Sequence, residues 1–257
     1  MTEKLQVKLS AHTALITINN PPANTWDLES LDQLYRTVTS LNQNSQIQSL
    51  IITGQGKKFF SAGANLKMFA SANPSNAQEI TDSFGKAFEA LSNFKGVSIA
   101  AINGIAMGGG LECALACDIR IGEAHCSLGL PEAKVGLLPC AGGTQRLLSL
   151  AGEGWVKRLI LCGETLVADK ALELGIIEEI VEPGNSLQRA FQFADQVAEQ
   201  SPTSIALCKE LIQQSRTILT PGLNMEREYF VKLFSTKDQK EGIQAFLEKR
   251  KPEWKNA

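Results

Sequence analysis

The chain has 257 residues, 44% of them hydrophobic and 20% charged, and a formal net charge of −2. That length suffices for a large buried core, and the balance of charge lacks the basic surface that nucleic acid or anionic lipid would require, although a local lysine cluster could still meet an acidic substrate. No N-terminal stretch combines the charged start and apolar core of a signal peptide, and no run reaches the roughly 20 apolar residues of a membrane span, so a cytoplasmic location is expected, or an organelle matrix after removal of a transit peptide.

In chain order, "ALITINN" (Ala14 to Asn20) is an apolar, β-branched strand stopped by "NNPP". From Asp27 to Leu41 the apolar positions Leu28, Leu31, Leu34, Tyr35, Val38 and Leu41 form the stripe of an amphipathic helix. "SLIITG" (Ser49 to Gly54) is a short buried strand closed by glycine, and "QGKKFFSAGANLKMF" follows with a centre of small residues. The polar stretch Ser71 to Gln78 reads as a flexible loop, after which Ile80, Phe84, Ala87, Phe88 and Leu91 mark a helix. "VSIAAING" (Val97 to Gly104) is an apolar strand, and "IAMGGGLECALAC" should turn into a buried helix. "DIRIG" is another strand, the segment Cys126 to Arg146 is loop-like, and "IIEEIVEP" (Ile176 to Pro183) is a strand in a mainly helical remainder. Alternation of strand and helix followed by a helical tail predicts an α/β fold in one compact body.

Six cysteines in a chain of this length do not suggest a disulfide scaffold. A zinc site could be built from Cys113, Cys117, His125 and Cys126, but the first two lie in an apolar helical run without knuckle spacing, so packing thiols are the better reading. The two histidines, His12 and His125, stand in no nucleophile-like context, and no GxSxG elbow is present.

Gly108, Gly109 and Gly110 follow one predicted strand and open a predicted helix. Residues without Cβ let a ligand approach the backbone, and the first N–H groups of a helix favour an anion. A tight packing turn would explain the same glycines. No Lys-Ser/Thr follows for a phosphate loop, and the GxGxxG spacing is absent. Glu112 falls in the first turn of that helix, where the dipole favours an acid, yet its neighbours look buried and a buried carboxylate is costly. Glu132, in "LGLPEAKVG", could be a surface charge. Were the two glutamates to converge, they could hold a water and divide acid and base roles, with repulsion keeping one protonated. In "KKFFSAGANLKMF", Lys58 and Lys67 could be solvated, or could flank a phosphorylated ligand.

The motifs "NPPANTW", "FFSAGANLKMF", "AAINGIAMGGGLECALACDIRIG", "LGLPEAKVGLLPCAGGTQRL" and "STKDQKEGIQAFLEKRKPEW" together resemble the crotonase superfamily, and within it the short-chain enoyl-CoA hydratases. The resemblance spans nearly the whole chain. It implies a spiral of ββα-type turns with the active site over residues 1–195, and a helical C-terminal region over 196–257 that builds a homotrimer or a dimer of trimers. It further implies an oxyanion hole from the N–H groups of Ala64 and Gly109, with Glu112 as base and Glu132 as proton donor. Lys58 and Lys67 match positions that contact CoA phosphates, Ala62 one whose backbone meets the adenine, and Cys140 one whose amide helps place the water. The implied partner is an acyl-CoA thioester in fatty-acid metabolism such as β-oxidation, with no nucleic acid, membrane, metal or redox cofactor. Three departures stand out: Asn65 replaces the usual aspartate, Cys140 a common glycine, and Thr25-Trp26 the usual Ala-Leu. Double-bond isomerisation or thioester hydrolysis, which can work with one carboxylate, and a non-catalytic CoA- or RNA-binding role are the alternatives; the paired glutamates favour hydration and count against a dead enzyme, and the net acidity and lack of a lysine-rich helix count against RNA.

Overall fold

In the computed structural model, which describes residues 4–70, 73–214 and 219–254, the chain opens on an antiparallel hairpin of β1 (Leu5–Ser10) and β2 (Thr13–Ile18). Helix α1 (Leu28–Gln43) starts at Asp27, whose carboxylate accepts the Ser30 N–H while Ser30 returns its hydroxyl as acceptor to the Asp27 N–H. The predicted stripe is the buried one, with Leu31, Leu34, Val38 and Leu41 all in the core. Leu28 and Tyr35 stay exposed.

Strand β3 (Ser49–Gly54) then begins a repeated unit of strand, strand and helix. Its members are β3, β4 (Phe59–Ser61) and α2 (Pro74–Ser92); β5 (Val97–Ile102), β6 (Ile105–Met107) and α3 (Gly109–Ala116); and β7 (Ile119–Glu123), β8 (Ser127–Gly129) and α4 (Gly143–Leu161). The ββα turns that the resemblance implied are therefore present. The remaining elements are β9 (Thr165–Val167), α5 (Ala168–Glu173), β10 (Glu179–Val181), α6 (Ser186–Ala198), α7 (Pro202–Gln214), α8 (Leu219–Leu233) and α9 (Lys237–Leu247).

The first strand of each unit joins a six-stranded sheet in the order β1-β2-β3-β5-β7-β10, parallel beyond the opening hairpin. Every residue of β3 is buried because both faces are covered. Leu50 and Ile52 face the main core, whereas Ile51 packs with Ile99 and Ile121 against Ala190 and Ala194 of α6. The second strands build a smaller sheet, β4-β6-β8-β9, in which β4, β6 and β8 are parallel. Asn103 ties the two sheets where the chain passes between them. Its amide donates to the carbonyls of Gly54 and Gly56, and its oxygen accepts the Gly54 N–H.

Three expectations need correction. The stretch Ser71 to Gln78 is not a loop throughout: Ser71 and Ala72 lie outside the described residues, but Asn73 caps α2, whose first residue is Pro74. Proline fits there because the first helical N–H has no partner to lose. The segment Cys126 to Arg146 contains β8, a 3₁₀ turn over Glu132–Val135 and the start of α4. The strand drawn over Ile176 to Pro183 shrinks to β10, because the N–H groups of Ile176 and Ile177 turn back to the Ala171 carbonyl instead of joining the sheet. Among the described residues no helix is long and apolar enough to cross a membrane.

Candidate active site

The parallel course of β4, β6 and β8 brings three separate motifs to one place. Past the carboxyl end of β4 come Ala62 to Ala64, past β6 the triple glycine, and past β8 Pro131 and Glu132. Ligands collect at the carboxyl ends of parallel strands because the loops leaving them diverge there. All three loops line one cavity of about 360 Å³.

The glycines are required by contact and by backbone. Gly108 adopts φ 53°, ψ −128°, and a Cβ there would lie 3.0 Å from Glu132 Oε1. A Cβ on Gly110 would strike the Ser61 carbonyl, so bare backbone lets α3 close on β4. Gly109 is the first residue of α3, and its N–H has no acceptor within the helix. Ala64 forms a parallel bridge with Trp26 that uses the Gly63 carbonyl and the Asn65 N–H. Because N–H directions alternate along an extended chain, this leaves the Ala64 N–H pointing away from Trp26. Trp26 itself is fully buried and edge-on to Phe88, so it is a core residue that braces the loop through its backbone. Asn65 serves as a cap, its side-chain oxygen accepting the Lys67 N–H.

The two glutamates do converge on the cavity, and their surroundings differ. Glu112 is 2% exposed, and its Oε1 accepts the N–H groups of Ala141 at 2.8 Å and Gly143 at 2.9 Å. Burial, and next the charge of Glu226, push its pKa up to about 7 against the pull of those two donors and of Arg146. Glu132 is partly exposed as a residue, yet its Oε2 is shielded and accepts no hydrogen bond. Burial and the neighbouring Glu112 hold it well above the ordinary carboxylate range. At neutral pH one of the pair therefore keeps its proton, and Glu132, which lacks the two N–H donors that hold Glu112, is the one favoured to do so.

Ala62 and Cys140 also line the cavity, whose apolar wall includes Phe69, Phe84, Leu137, Leu138 and Phe230. Lys58 and Lys67 are exposed and lie outside that lining, with the Lys58 ammonium 5.3 Å from the Phe59 ring centroid. The cations that do line it are Lys134 and Arg250, neither of which the motifs single out. Lys134 lies only two residues past Glu132, a signal that was there to be used. The helical C-terminal region supplies Phe230, Gly242 and Phe246 as well. A third carboxylate reaches this corner, the buried Glu226 on α8, which no motif singles out, although an acid among Leu223, Phe230 and Phe234 interrupts an otherwise apolar stripe. Cys113, Cys117, Cys126 and Cys140 are buried free thiols. Among the described residues no three His, Cys, Asp or Glu side chains gather as a metal site would require.

The enoyl-CoA hydratase/isomerase family model matches residues 8–257. A short-chain-enoyl-CoA hydratase of Clostridium acetobutylicum is 36% identical over 242 residues, 93% of each chain. Among solved structures, Pseudomonas aeruginosa DspI is 56% identical with a TM-score of 0.83, covering 99% of this chain and 97% of that one. The enoyl-CoA hydratase of Bacillus anthracis is 35% identical with a TM-score of 0.81, covering 99% and 100%. A match that runs through all three strand-end loops and both glutamates leaves one assignment: the chain belongs to the enoyl-CoA hydratase/isomerase family.

Proposed function

We propose that this chain hydrates 2-enoyl-CoA thioesters to 3-hydroxyacyl-CoA. The observation that carries the reading is the unequal pair of glutamates on one cavity, Glu112 held by two N–H donors and Glu132 with its Oε2 unpartnered and its pKa raised by burial. The thioester carbonyl accepts the N–H groups of Ala64 and Gly109. A water lies between the carboxyl groups, with the Cys140 amide helping to place it. Glu112 takes a proton from the water as its oxygen bonds to the β-carbon, and the π electrons shift to the thioester oxygen as an enolate. The two N–H groups hold that charge, and losing one such donor typically costs about 3 kcal/mol of transition-state stabilisation. Glu132 then delivers its proton to the α-carbon, and dehydration reverses each step. The chemistry calls for no metal or redox cofactor, CoA being part of the substrate. Lys58 and Lys67 meet the CoA phosphates, the Ala62 backbone meets the adenine, and the aromatic wall takes the acyl chain. The functional unit is a cytoplasmic homotrimer, or a dimer of trimers, built on the helical region 196–257.

The test is loss of enoyl-thioester absorbance when crotonyl-CoA meets wild type, Glu112→Gln and Glu132→Gln. Rapid hydration by wild type and a drop of about 10²-fold or more in each variant is expected. Slow hydration beside fast isomerisation of a 3-enoyl-CoA would overturn the reading.

A further inference from the structure

Glu226 reaches the site from α8, more than eighty residues beyond the loop it serves. It is 5% exposed, and it accepts the Gly142 and Thr144 N–H groups, each at 2.8 Å, together with the Thr144 hydroxyl. The intervening N–H groups of the same turn, from Ala141 and Gly143, donate to Glu112. Four consecutive N–H groups at the start of α4 thus alternate between two carboxylates. That turn has no side-chain cap of its own. It depends on these acids to satisfy donors that a helix start leaves free.

The sequence of α8 explains the approach. Gly222 packs against the flexible end of the Gln145 side chain, which places α8 beside the first turn of α4. One turn on from Gly222 stands Glu226, and a further turn on Phe230 lines the cavity. Glu226 is absent from that lining and so lies outside the space a substrate would fill.

We propose that Glu226 is a positioning residue for Glu112: from outside the cavity it fixes the first turn of α4, whose two other N–H groups aim the Glu112 carboxylate at the substrate. The inference rests on Glu112 acting as the base. A buried carboxylate is a costly way to cap a helix, since an uncharged Ser or Thr would do. What only an acid adds is charge. The groups bearing on this corner are Glu112 from α3, Glu132 and Cys140 from the loops, Arg146 from α4, and Arg227 beside Glu226 on α8. Arg146 attracts both carboxylates and donates to the Ala141 carbonyl, closing the turn from its other side. The repulsion between Glu226 and Glu112 raises the proton affinity of the base. Removing the Glu226 charge lowers it.

The experiment compares wild type with Glu226→Gln, Glu226→Asp and Thr144→Val. Two readouts are taken: the pH dependence of crotonyl-CoA hydration, and the titration of Glu112 in protein labelled with [5-¹³C]glutamate, its resonance identified by its loss in Glu112→Gln. In Glu226→Gln, kcat should fall about tenfold while KM stays within about threefold, as expected when base geometry rather than binding is damaged. The acid limb and the Glu112 midpoint should both move down by about half a pH unit or more. Glu226→Asp should recover part of kcat. Thr144→Val, which withdraws one donor from Glu226, should shift Glu112 in the same direction by less, and it carries the test should Glu226→Gln fail to fold. An unchanged Glu112 midpoint in these two variants overturns the proposal, as does a loss confined to KM. Should wild type not hydrate crotonyl-CoA, the functional reading fails, while the NMR midpoints still decide the role of Glu226.

Discussion

The carboxyl ends of β4, β6 and β8 line the cavity, the first turn of α4 stands behind Glu112, and the two regions treat hydrogen-bonding groups in opposite ways. At the strand ends, the Gly109 N–H has no acceptor within its helix, the Ala64 N–H points away from its bridge partner, and Glu132 Oε2 accepts nothing. At the α4 turn, every N–H from Ala141 to Thr144 has a carboxylate acceptor. Buried polar groups without partners are expensive, so a fold keeps them where a ligand will complete them. On the function proposed above, the first region is where substrate would bond, and the second is the scaffold that would hold Glu112 still.

The sharpest way to break this contrast is to neutralise each acid. Glu132→Gln removes a proton donor that the strand-end region leaves unpaired, and Glu112→Gln removes the acceptor that the α4 turn holds. Both should cost about 10²-fold or more in kcat on crotonyl-CoA, followed by enoyl absorbance. An equal effect on both sides would show that the pair acts as a unit despite unlike surroundings. A variant retaining more than about a tenth of wild-type kcat would remove that residue from proton transfer.

The backbone of the strand-end region offers the next largest effect. Gly110→Ala places a Cβ against the Ser61 carbonyl and must push α3 away from β4. Overpacking of this kind typically costs about 1–3 kcal/mol. The displacement also moves the Ala64 loop relative to Gly109, so activity should fall more than stability would suggest. Thermal melting alongside kcat separates the two, and wild-type values in both would show that the close approach is dispensable.

Much of this region was legible in the amino-acid order, because its requirements are local. A run of glycines, a small-residue loop and an acid after a Leu-Pro each announce themselves within a few residues. Their convergence was not legible, since it depends on β4, β6 and β8 lying parallel in a second sheet of three-residue strands too short to show periodicity. The scaffold was harder still. Glu226 acts on residues some eighty positions earlier, and only its intrusion on the apolar stripe of α8 hinted at burial. The start of α2 was missed for a different reason: Asn-Pro punctuates loops, yet here it is the cap and first residue of a helix.

The unequal settings also predict opposite consequences for stability and catalysis as pH changes. A carboxyl whose folded pKa is raised contributes stability that is full below the ordinary carboxylate value of 4.5 and is lost as pH rises through the folded value. Both Glu112 and Glu132 are raised, so wild type should melt at lower temperature at pH 8 than at pH 5. Glu132→Gln, uncharged at every pH, should recover about 2–4 °C of that loss at pH 8 while leaving the melt at pH 5 nearly unchanged. The activity profile runs differently: hydration falls below about pH 7, where Glu112 takes up its proton, and falls again at high pH as Glu132 loses its own. A melt independent of pH in wild type would contradict the burial of this pair.

The smallest expected effect belongs to Cys140, which sits between the two regions and lines the cavity. A thiol beside a site of acid–base chemistry invites the expectation of oxidation or alkylation. Its setting argues otherwise. Burial first, then the neighbouring Glu112 and Glu226, hold the thiol well above its ordinary pKa of 9.0, and the neutral thiol is a poor nucleophile. Cys162 and Cys208 are exposed. Treatment with iodoacetamide near neutral pH should therefore modify those two and spare Cys140, with kcat kept within about twofold, as peptide mass mapping and the hydration assay would read together. Rapid modification of Cys140 with loss of activity would mean that the thiol is open to solvent, which would contradict the burial that separates this corner from the open strand-end region.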